Sequence, residues 1–520
     1  MSAVGSVHPA VQPFCRAAVR DLLQCVIGWE PISSGVTITS FSFRRFGVAL
    51  FAGTGAGLLS LPTLVMPSVA RGDTDDVPFY VLGGSGLPTP STELIDTLQS
   101  LYFPEVANFA GQPTFSDIDP VALTTPEQFY PVTGVYQETL ATSVSQGVQI
   151  LANEISPILS DGGAVDVFGI SQSAIIASLE MEQLEITDPD ADATFVLAGD
   201  LMNPNGGILE RFAGLDLSSL GIDFYGATPS DDFTTTIYTL EYDGYADFPK
   251  YPLDILADLN AIEGINVVHG EYADLTAADL ADAVQLTTSG ATDTTYYIIP
   301  VDGLPLLDPI RDIPVIGNPI ADLLQPDLTY LVNLGYGDPE YGYSTDPANE
   351  ATTFGLFPDL DEIEKMPGLL LSGAEQGIQD FIGDFTGSGP NPVDLSLDSL
   401  TSPTDSATGT TTDALTLLET DVENLASDPS GALTDLANAI STDLQTAYST
   451  LLPTADILNS LLTSLPAYDA TLFVDNIAAN PIDAIGLPIA ADLGIGLYLA
   501  NYEADVLATA AETILGSFTS

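Results

Sequence analysis

Short apolar runs alternate with stretches of helical spacing between residues 77 and 346. The runs that predict strands lie at 77–82, 164–168, 194–198, 235–240 and 265–268. The stretches that predict helices lie at 139–159, 173–184 and 252–259. Strands alternating with helices are typical of a mostly parallel sheet covered on both faces. The pattern therefore predicts an α/β domain over 77–346, with functional residues at the carboxyl ends of its strands.

The composition changes after residue 346. The region 347–412 becomes rich in Ser, Thr, Gly and Pro, above all from Gly387 to Thr412, which predicts a linker. Residues 413–520 are rich in Ala, Leu and Asp, and their apolar positions have helical spacing. We expect a C-terminal helical appendage there, in which no type of catalytic residue is concentrated.

The N-terminal region 1–70 has the features of an export segment. Two arginines precede an apolar run at 46–66, and small residues follow at Ser68 and Ala70. This order predicts a secretory signal. An uncleaved membrane anchor is the alternative, because roughly 20 apolar residues span a bilayer; the glycines and Pro62 in the run favour cleavage. Both interpretations predict a secreted or cell-envelope protein, with membrane association through 46–66 if the segment is retained.

The net charge and the small numbers of Cys and His limit the possible ligands and reactions. The chain has 9 Lys and Arg against 72 Asp and Glu, a formal net charge of −63. Such a surface repels nucleic acid, whose phosphates need basic partners. The two cysteines, Cys15 and Cys25, precede the apolar run, so the exported part has no cysteine-based metal site. We expect neither a metal nor another cofactor. His8 and His269 are the two histidines.

The candidate nucleophile is Ser171. It lies in Gly169-Ile170-Ser171-Gln172-Ser173, between a predicted strand and a predicted helix. A nucleophile elbow requires this context, and it requires small residues two positions before and after the serine. The backbone N–H of Gln172 would then face the developing oxyanion at a helix N-terminus.

A serine hydroxyl needs a base, and His269 is the histidine that remains after signal removal. We expect it in a loop just after the predicted strand at 265–268. The acid that orients the imidazole should lie between the serine and the histidine in the chain. Asp247 and Asp243 both follow the predicted strand at 235–240. The position of Asp247, three residues after Gly244, makes it the preferred acid, with Asp243 as the alternative.

A second oxyanion donor is expected from the loop after the first strand. The segment Leu82-Gly83-Gly84-Ser85-Gly86 lets backbone N–H groups approach a substrate, which makes Gly84 and Ser85 candidates. A plain tight turn is the alternative. A phosphate-binding loop is excluded because the lysine of that motif is missing.

Several segments resemble the PE-PPE domain of mycobacteria and their relatives. They are LGGSGLPTP (82–90), TPEQFYPVTG (125–134), VFGISQSAIIASLEM (167–181), NPNGG (203–207), EYDGYADFPKYP (241–252), HGEY (269–272) and LLQPDLTYLVNLGYGD (323–338). The resemblance implies a cutinase-like serine α/β-hydrolase with a Ser-Asp-His triad. Ser171 and His269 match the nucleophile and the histidine of the family, and the acid falls within EYDGYADFP. A signal sequence stands where the family has a PE or PPE module.

The resemblance also implies a function. Family members are exported to the cell envelope and hydrolyse acyl esters, and some are similar to acyltransferases that build trehalose lipids. We therefore expect a serine esterase that cleaves acyl esters through an acyl-enzyme. Transfer of acyl groups onto trehalose-type glycolipids is the alternative with the same residues. A non-catalytic acidic envelope protein is the alternative of another class.

Overall fold

The computed structural model describes residues 77–116, 118–392, 438 and 441–517. The predicted export segment at 1–70 lies outside the described residues, as does the part of the predicted linker from 393 to 412. The strands are β1 (Val77–Val81), β2 (Ile118–Ala122), β3 (Val165–Ile170), β4 (Ala193–Ala198), β5 (Asp216–Leu217), β6 (Ile222–Asp223), β7 (Thr234–Leu240), β8 (Val284–Gln285) and β9 (Thr294–Ile299).

The α-helices up to residue 299 alternate with the strands, and three further α-helices follow the last strand before residue 400. They are α1 (Thr92–Tyr102), α2 (Leu140–Ser160), α3 (Gln172–Thr187), α4 (Ile208–Arg211), α5 (Ile255–Val267), α6 (Ala277–Ala281), α7 (Asp308–Arg311), α8 (Gly317–Leu334) and α9 (Leu360–Thr386). The C-terminal helices are α10 (Leu451–Asn459), α11 (Leu465–Asn476) and α12 (Pro481–Ser517), preceded by helical residues 441–449.

A seven-stranded sheet has the order β2-β1-β3-β4-β7-β9-β8. All neighbours in it pair in parallel except β8 and β9, which are antiparallel. The predicted α/β fold with a mostly parallel sheet is therefore confirmed. The chain goes from β1 to one side for β2 and to the other side for β3. The carboxyl ends of β1 and β3 thus form the switch point of the topology, where open α/β sheets bind their ligands.

The alternation of side chains along the strands buries both faces of the sheet. On β4, Phe195 and Leu197 belong to one apolar cluster, and Val196 and Ala198 belong to another. The first cluster includes residues of α2 and α3, and the second includes residues of α1. These two apolar clusters, one on each face, hold the sheet in place. The candidate site lies at the carboxyl ends of its strands.

The predicted strand at 265–268 is wrong. Residues Ile255–Val267 form one helix, α5, which ends where the strand was expected. The apolar run there packs one helix face, and a short apolar run does not distinguish a strand from a buried helix. His269 consequently follows a helix C-terminus, and its backbone N–H donates to the carbonyl of Gly264 at 3.0 Å.

The predicted C-terminal helices are present, but the predicted linker and the packing of these helices differ from expectation. Helix α9 occupies 360–386, within the region predicted as linker. The C-terminal helices are not peripheral, because Ile495, Tyr498 and Leu499 of α12 are fully buried in the apolar cluster that includes α2 and α3. The C-terminal residues that the structure describes therefore share the core of the α/β domain.

Among the described residues, one segment, Pro481–Ile514 of α12, is long and apolar enough to cross a membrane. A core helix passes the same test of length and composition. Tyr498 and Leu499 of this segment are fully buried against the α/β domain.

Candidate active site

The turn from β3 into α3 presents the hydroxyl of Ser171. The serine has φ 56° and ψ −119°, a conformation that costs energy for a residue other than glycine. Its backbone N–H donates to the carbonyl of Ala198 at 3.0 Å, so the β3–β4 pairing continues into the turn. A Cβ on Gly169 would lie 2.6 Å from the backbone oxygen of Ser173, so glycine is required there. This is the strained turn that a nucleophile elbow requires.

The hydroxyl of Ser173 closes the same turn. Its Oγ accepts a hydrogen bond from the backbone N–H of Ile170 at 2.8 Å and lies 3.1 Å from the carbonyl oxygen of that residue. The second small residue of the motif thus stabilises the bend that raises Ser171. The sequence pattern predicted its size but not this hydrogen bond.

The imidazole of His269 connects Ser171 with a carboxylate. Its Nε2 lies 2.8 Å from Ser171 Oγ. Its Nδ1 lies 2.9 and 2.8 Å from the two carboxylate oxygens of Asp243. The three side chains therefore form a continuous hydrogen-bonded chain, although they come from three separate segments after β3, β7 and α5.

Asp243 is fully buried and has further donors. The hydroxyl of Tyr272 donates to its Oδ2 at 2.7 Å, and the backbone N–H of Tyr245 donates to its Oδ1 at 3.0 Å. Tyr272 is itself held, because its hydroxyl accepts from the N–H of Leu240 at 2.9 Å. These bonds compensate the burial of the carboxylate and fix its orientation toward His269.

The preference for Asp247 over Asp243 is corrected by these distances. Asp247 is buried behind the loop, where its Oδ2 accepts from the backbone N–H of Tyr242 at 3.1 Å. Burial raises the pKa of Asp247 well above its usual range. The hydrogen bond from Tyr242 and the charge of Arg211 offset only part of this rise. The reason is the backbone: Tyr242 has a φ of 65°, and this turn directs Asp243, not Asp247, at the imidazole.

The loop after β1 lies against Ser171. A Cβ built on Gly84 would lie 3.2 Å from Cβ of Ser171. The hydroxyl of Ser85 donates to Oε1 of Gln172 at 3.0 Å, and Nε2 of Gln172 lies 2.6 Å from Oγ of Ser143. The side chain of Gln172 thus fastens the β1 loop and α2 to the start of α3, whose first amides have no acceptor within the helix.

A cavity of about 520 Å³ opens beside Ser171 and His269, and we call it the Ser171 cavity. Most of its wall is apolar, with contributions from the β1 loop, α1, α2 and α5. Besides Gly84, Ser85, Ser171, Gln172 and His269, its lining includes Leu87, Leu94, Leu98, Phe129, Val132, Leu140, Ile170, Leu201, Tyr245, Ile265, Asn266, Gly270, Ala273 and Asp505. Its volume lies in the usual range for small-molecule sites, about 300–1,000 Å³.

The C-terminal helix α12 reaches this cavity, which the sequence analysis did not anticipate. Asp505 lines the cavity, and the buried hydroxyls of Tyr245 and Tyr502 lie 3.2 Å apart. Tyr502 also donates to Tyr498 one helical turn earlier. The ring of Tyr245 packs edge-on against His269, with 4.7 Å between the ring centres. The sequence does contain a signal for this packing: Tyr498 and Tyr502 are four residues apart, so they share one face of an apolar helix.

Tyr272 and Gly199 were also missed as parts of the site. Tyr272 lies three residues after His269, and Gly199 directly follows β4 with φ 61°. A Cβ on Gly199 would lie 2.8 Å from the ring of Tyr272 and 3.1 Å from Cε1 of His269. Because Gly199 has no side chain, the rings of Tyr272 and His269 can both pack against the end of β4.

In the part of the chain that the structure describes, no group of three or more His, Cys, Asp or Glu side chains is placed to hold a metal ion. Ser171, Asp243 and His269 occur in this order along the chain, and their side chains form one hydrogen-bonded group.

Comparison with known proteins identifies the family of the chain. The model of the PE-PPE domain family matches residues 116–337, a range that includes Ser171, Asp243 and His269. The chain is also 30% identical over 257 residues to the diacyltrehalose acyltransferase Chp2 of Mycobacterium tuberculosis H37Rv, a match that covers 45% of this chain and 67% of Chp2. The chain belongs to the PE-PPE domain family. The resemblance expected from the sequence motifs is therefore confirmed.

Two other relatives from the same organism are more similar. An uncharacterized PPE family protein, PPE28, is 42% identical over 447 residues, a match that covers 84% of this chain and 66% of PPE28. The esterase PE16 is 41% identical over 323 residues, a match that covers 60% of this chain and 58% of PE16. The chain thus spans less than two thirds of the length of either relative.

The packing around Gly199 gives a testable prediction. We expect Gly199→Ala to lower the free energy of unfolding by about 1–3 kcal/mol, because the new Cβ is strained at positive φ and meets Tyr272 and His269. Urea denaturation of the purified chain measures the change. Gly270→Ala is the matched control, since a Cβ there meets nothing within 4 Å, and it should change stability by less than about 0.5 kcal/mol. Equal stability of the two variants would contradict the packing described.

Proposed function

We propose that the protein is a serine esterase that cleaves acyl esters through an acyl-enzyme, with Ser171 as nucleophile, His269 as general base and Asp243 as the orienting acid. The observation that carries this proposal is the hydrogen-bonded chain from Ser171 Oγ through His269 to Asp243, with distances of 2.8 Å on both sides of the imidazole. A hydroxyl becomes a competent nucleophile when such a base removes its proton.

The first half of the reaction forms the acyl-enzyme. Ser171 Oγ attacks the ester carbonyl while His269 Nε2 takes the hydroxyl proton. The negative charge of Asp243 stabilises the imidazolium and holds Nδ1 as the donor. When the tetrahedral intermediate collapses, the carbon–oxygen bond to the alcohol breaks, and His269 returns the proton to the leaving alkoxide.

The oxyanion of the tetrahedral intermediate needs donors in place before the reaction. The backbone N–H of Gln172 starts α3, where the helix contributes a favourable partial positive charge. The backbone of Gly84 and Ser85 supplies the second donor in this proposal. The close approach of Gly84 to Ser171, and the hydrogen bond that joins Ser85 to Gln172, support this placement.

The second half of the reaction releases the acyl group. Water, activated by His269 Nε2, attacks the acyl-enzyme, and the acid leaves with regeneration of the Ser171 hydroxyl. The apolar wall of the Ser171 cavity suits the acyl chain of the ester. The similarity to a protein named esterase PE16 supports hydrolysis as the outcome.

Acyl transfer is the second candidate function. It uses the same acyl-enzyme, and a hydroxyl of an acceptor molecule replaces water in the second half. The similarity to a relative named as a diacyltrehalose acyltransferase favours this candidate. Incubation with an acyl donor and trehalose, followed by mass spectrometry, separates the two: an acylated sugar indicates transfer, whereas free acid alone indicates hydrolysis.

The proposed place of action is outside the cytoplasm. The apolar run at 46–66 with its flanking arginines and small residues supports export, either as a cleaved signal or as a retained anchor. Acyl esters and glycolipids are the proposed substrates, and nucleic acid is not a proposed partner because of the net charge of −63.

Replacement of the nucleophile tests the proposed esterase directly. We expect Ser171→Ala to lower kcat/KM for p-nitrophenyl butyrate by roughly 10⁴- to 10⁶-fold, because the acyl-enzyme does not form. A fluorophosphonate probe should label the wild type and not the variant. Ser145→Ala, an exposed serine on α2, is the control and should keep both activity and labelling. Equal rates in wild type and Ser171→Ala would remove the proposal.

The two aspartates of the β7 loop give a second prediction. We expect Asp243→Asn to lower kcat by roughly 10⁴-fold, since it removes the charge that stabilises the imidazolium. Asp247→Asn should lower kcat by less than about ten-fold, since an amide oxygen can still accept from Tyr242. Steady-state kinetics with p-nitrophenyl butyrate measures both. A larger loss in Asp247→Asn than in Asp243→Asn would show that the assignment of the acid is incorrect.

A further inference from the structure

A second cavity of about 330 Å³ adjoins the Ser171 cavity. It lies between the loop at 131–136, residues 446–450 and helix α12. Val132 and Asp505 line both cavities, so the two spaces meet at these side chains. We call the second space the threonine cavity, after the five threonines in its lining: Thr133, Thr446, Thr450, Thr509 and Thr513.

Two helices present hydroxyl groups to this cavity at helical spacing. Thr446, Ser449 and Thr450 lie at positions i, i+3 and i+4 of one helical segment. Asp505, Thr509 and Thr513 lie at successive four-residue steps along α12. A polar stripe on each helix therefore faces the same space. The walls of both cavities are mainly apolar, but the polar share is larger in the threonine cavity.

Several of these hydroxyls already use their protons. Ser449 and Thr450 donate to backbone carbonyls of their own segment at 2.8 Å, and Thr513 donates to the carbonyl of Thr509 at 2.9 Å. Their oxygen lone pairs stay available as acceptors. A wall of this kind favours a ligand that donates several hydrogen bonds.

Asp505 adds the strongest acceptor at the junction of the two cavities. Its side chain is accessible to solvent, and it makes no hydrogen bond or ion pair with any residue in the described ranges. An ionised carboxylate accepts hydrogen bonds and donates none. Bonds from ligand hydroxyls to a charged acceptor are stronger than neutral ones. The exposed ring of Tyr136 at the same cavity offers a flat face to a sugar ring.

We propose that the threonine cavity binds the polyhydroxylated alcohol half of the substrate, a sugar or another polyol, while the acyl chain lies in the Ser171 cavity. This inference rests on the proposed function of Ser171. The polyol is the alcohol that leaves when the acyl-enzyme forms. In acyl transfer it is the alcohol whose hydroxyl attacks the acyl-enzyme and gives its proton to His269; the new ester bond forms as the ester bond to Ser171 breaks, and His269 returns the proton to Ser171 Oγ.

Selectivity between two butyrate esters tests the proposal. A monobutyryl ester of glucose and ethyl butyrate have the same acyl chain and differ in the alcohol. In the full chain, Asp505→Asn should lower the ratio of kcat/KM for the glucose ester over that for ethyl butyrate by roughly ten-fold. Thr509→Val, which removes an acceptor with little change of shape, should lower the same ratio by roughly three-fold.

Asp475→Asn is the matched control, because it removes one exposed carboxylate from the C-terminal helices away from both cavities. It should leave the ratio unchanged, and circular dichroism should show that all variants are folded. A ratio that stays constant in both Asp505→Asn and Thr509→Val would overturn the proposal.

A separate measurement distinguishes failure of this inference from failure of the proposed function. If neither ester is cleaved in a Ser171-dependent manner, the proposed function fails, and saturation-transfer difference NMR with glucose decides the binding question. Signals with Ser171→Ala that disappear in Ser171→Ala/Asp505→Asn would support the polyol site. Equal signals, or no signal with either variant, would overturn it.

Discussion

A buried carboxylate with three kinds of donor around it holds the imidazole of His269 in place. Asp243 is fully buried and accepts from the imidazole, from the Tyr272 hydroxyl and from a backbone N–H. Burying a charge without such partners would cost several kcal/mol. Because the partners are present, the carboxylate has one orientation, the imidazole has one useful tautomer, and Nε2 faces Ser171. The proposed chemistry depends on this constraint.

The sheet supplies the rest of the geometry. β1 and β3 are neighbours at the topological switch point, so the Gly84–Ser85 loop and the strained turn at Ser171 lie side by side. The C-terminal helices complete the site on its open side, where α12 contacts the Asp243 loop through Tyr245 and Tyr502. Both cavities have mainly apolar walls, and the threonine cavity adds hydroxyl groups and Asp505, which suit the proposed polyol half of an acyl ester.

Local patterns sufficed for much of this arrangement. Strands β1, β3, β4 and β7 and the helix after Ser171 follow from periodicity, whereas β2, β5 and β6 were not predicted. The small number of histidines led to His269, whose imidazole lies next to Ser171. The choice between Asp243 and Asp247 depended on the backbone of Tyr242, whose positive φ no propensity of tyrosine predicts. The run at 265–268 was too short to separate strand from helix, and the role of α12 depends on tertiary packing over more than 200 residues of sequence.

The hydrogen bond between His269 Nδ1 and Asp243 can be measured directly by NMR, and this measurement tests the central claim. With two histidines in the chain, proton NMR of protein labelled with ¹⁵N-histidine gives a simple spectrum. The account predicts an Nδ1 proton far downfield of the backbone amides in the wild type, retained in Asp247→Asn and lost in Asp243→Asn. A downfield proton that survives in Asp243→Asn and disappears in Asp247→Asn would contradict the account.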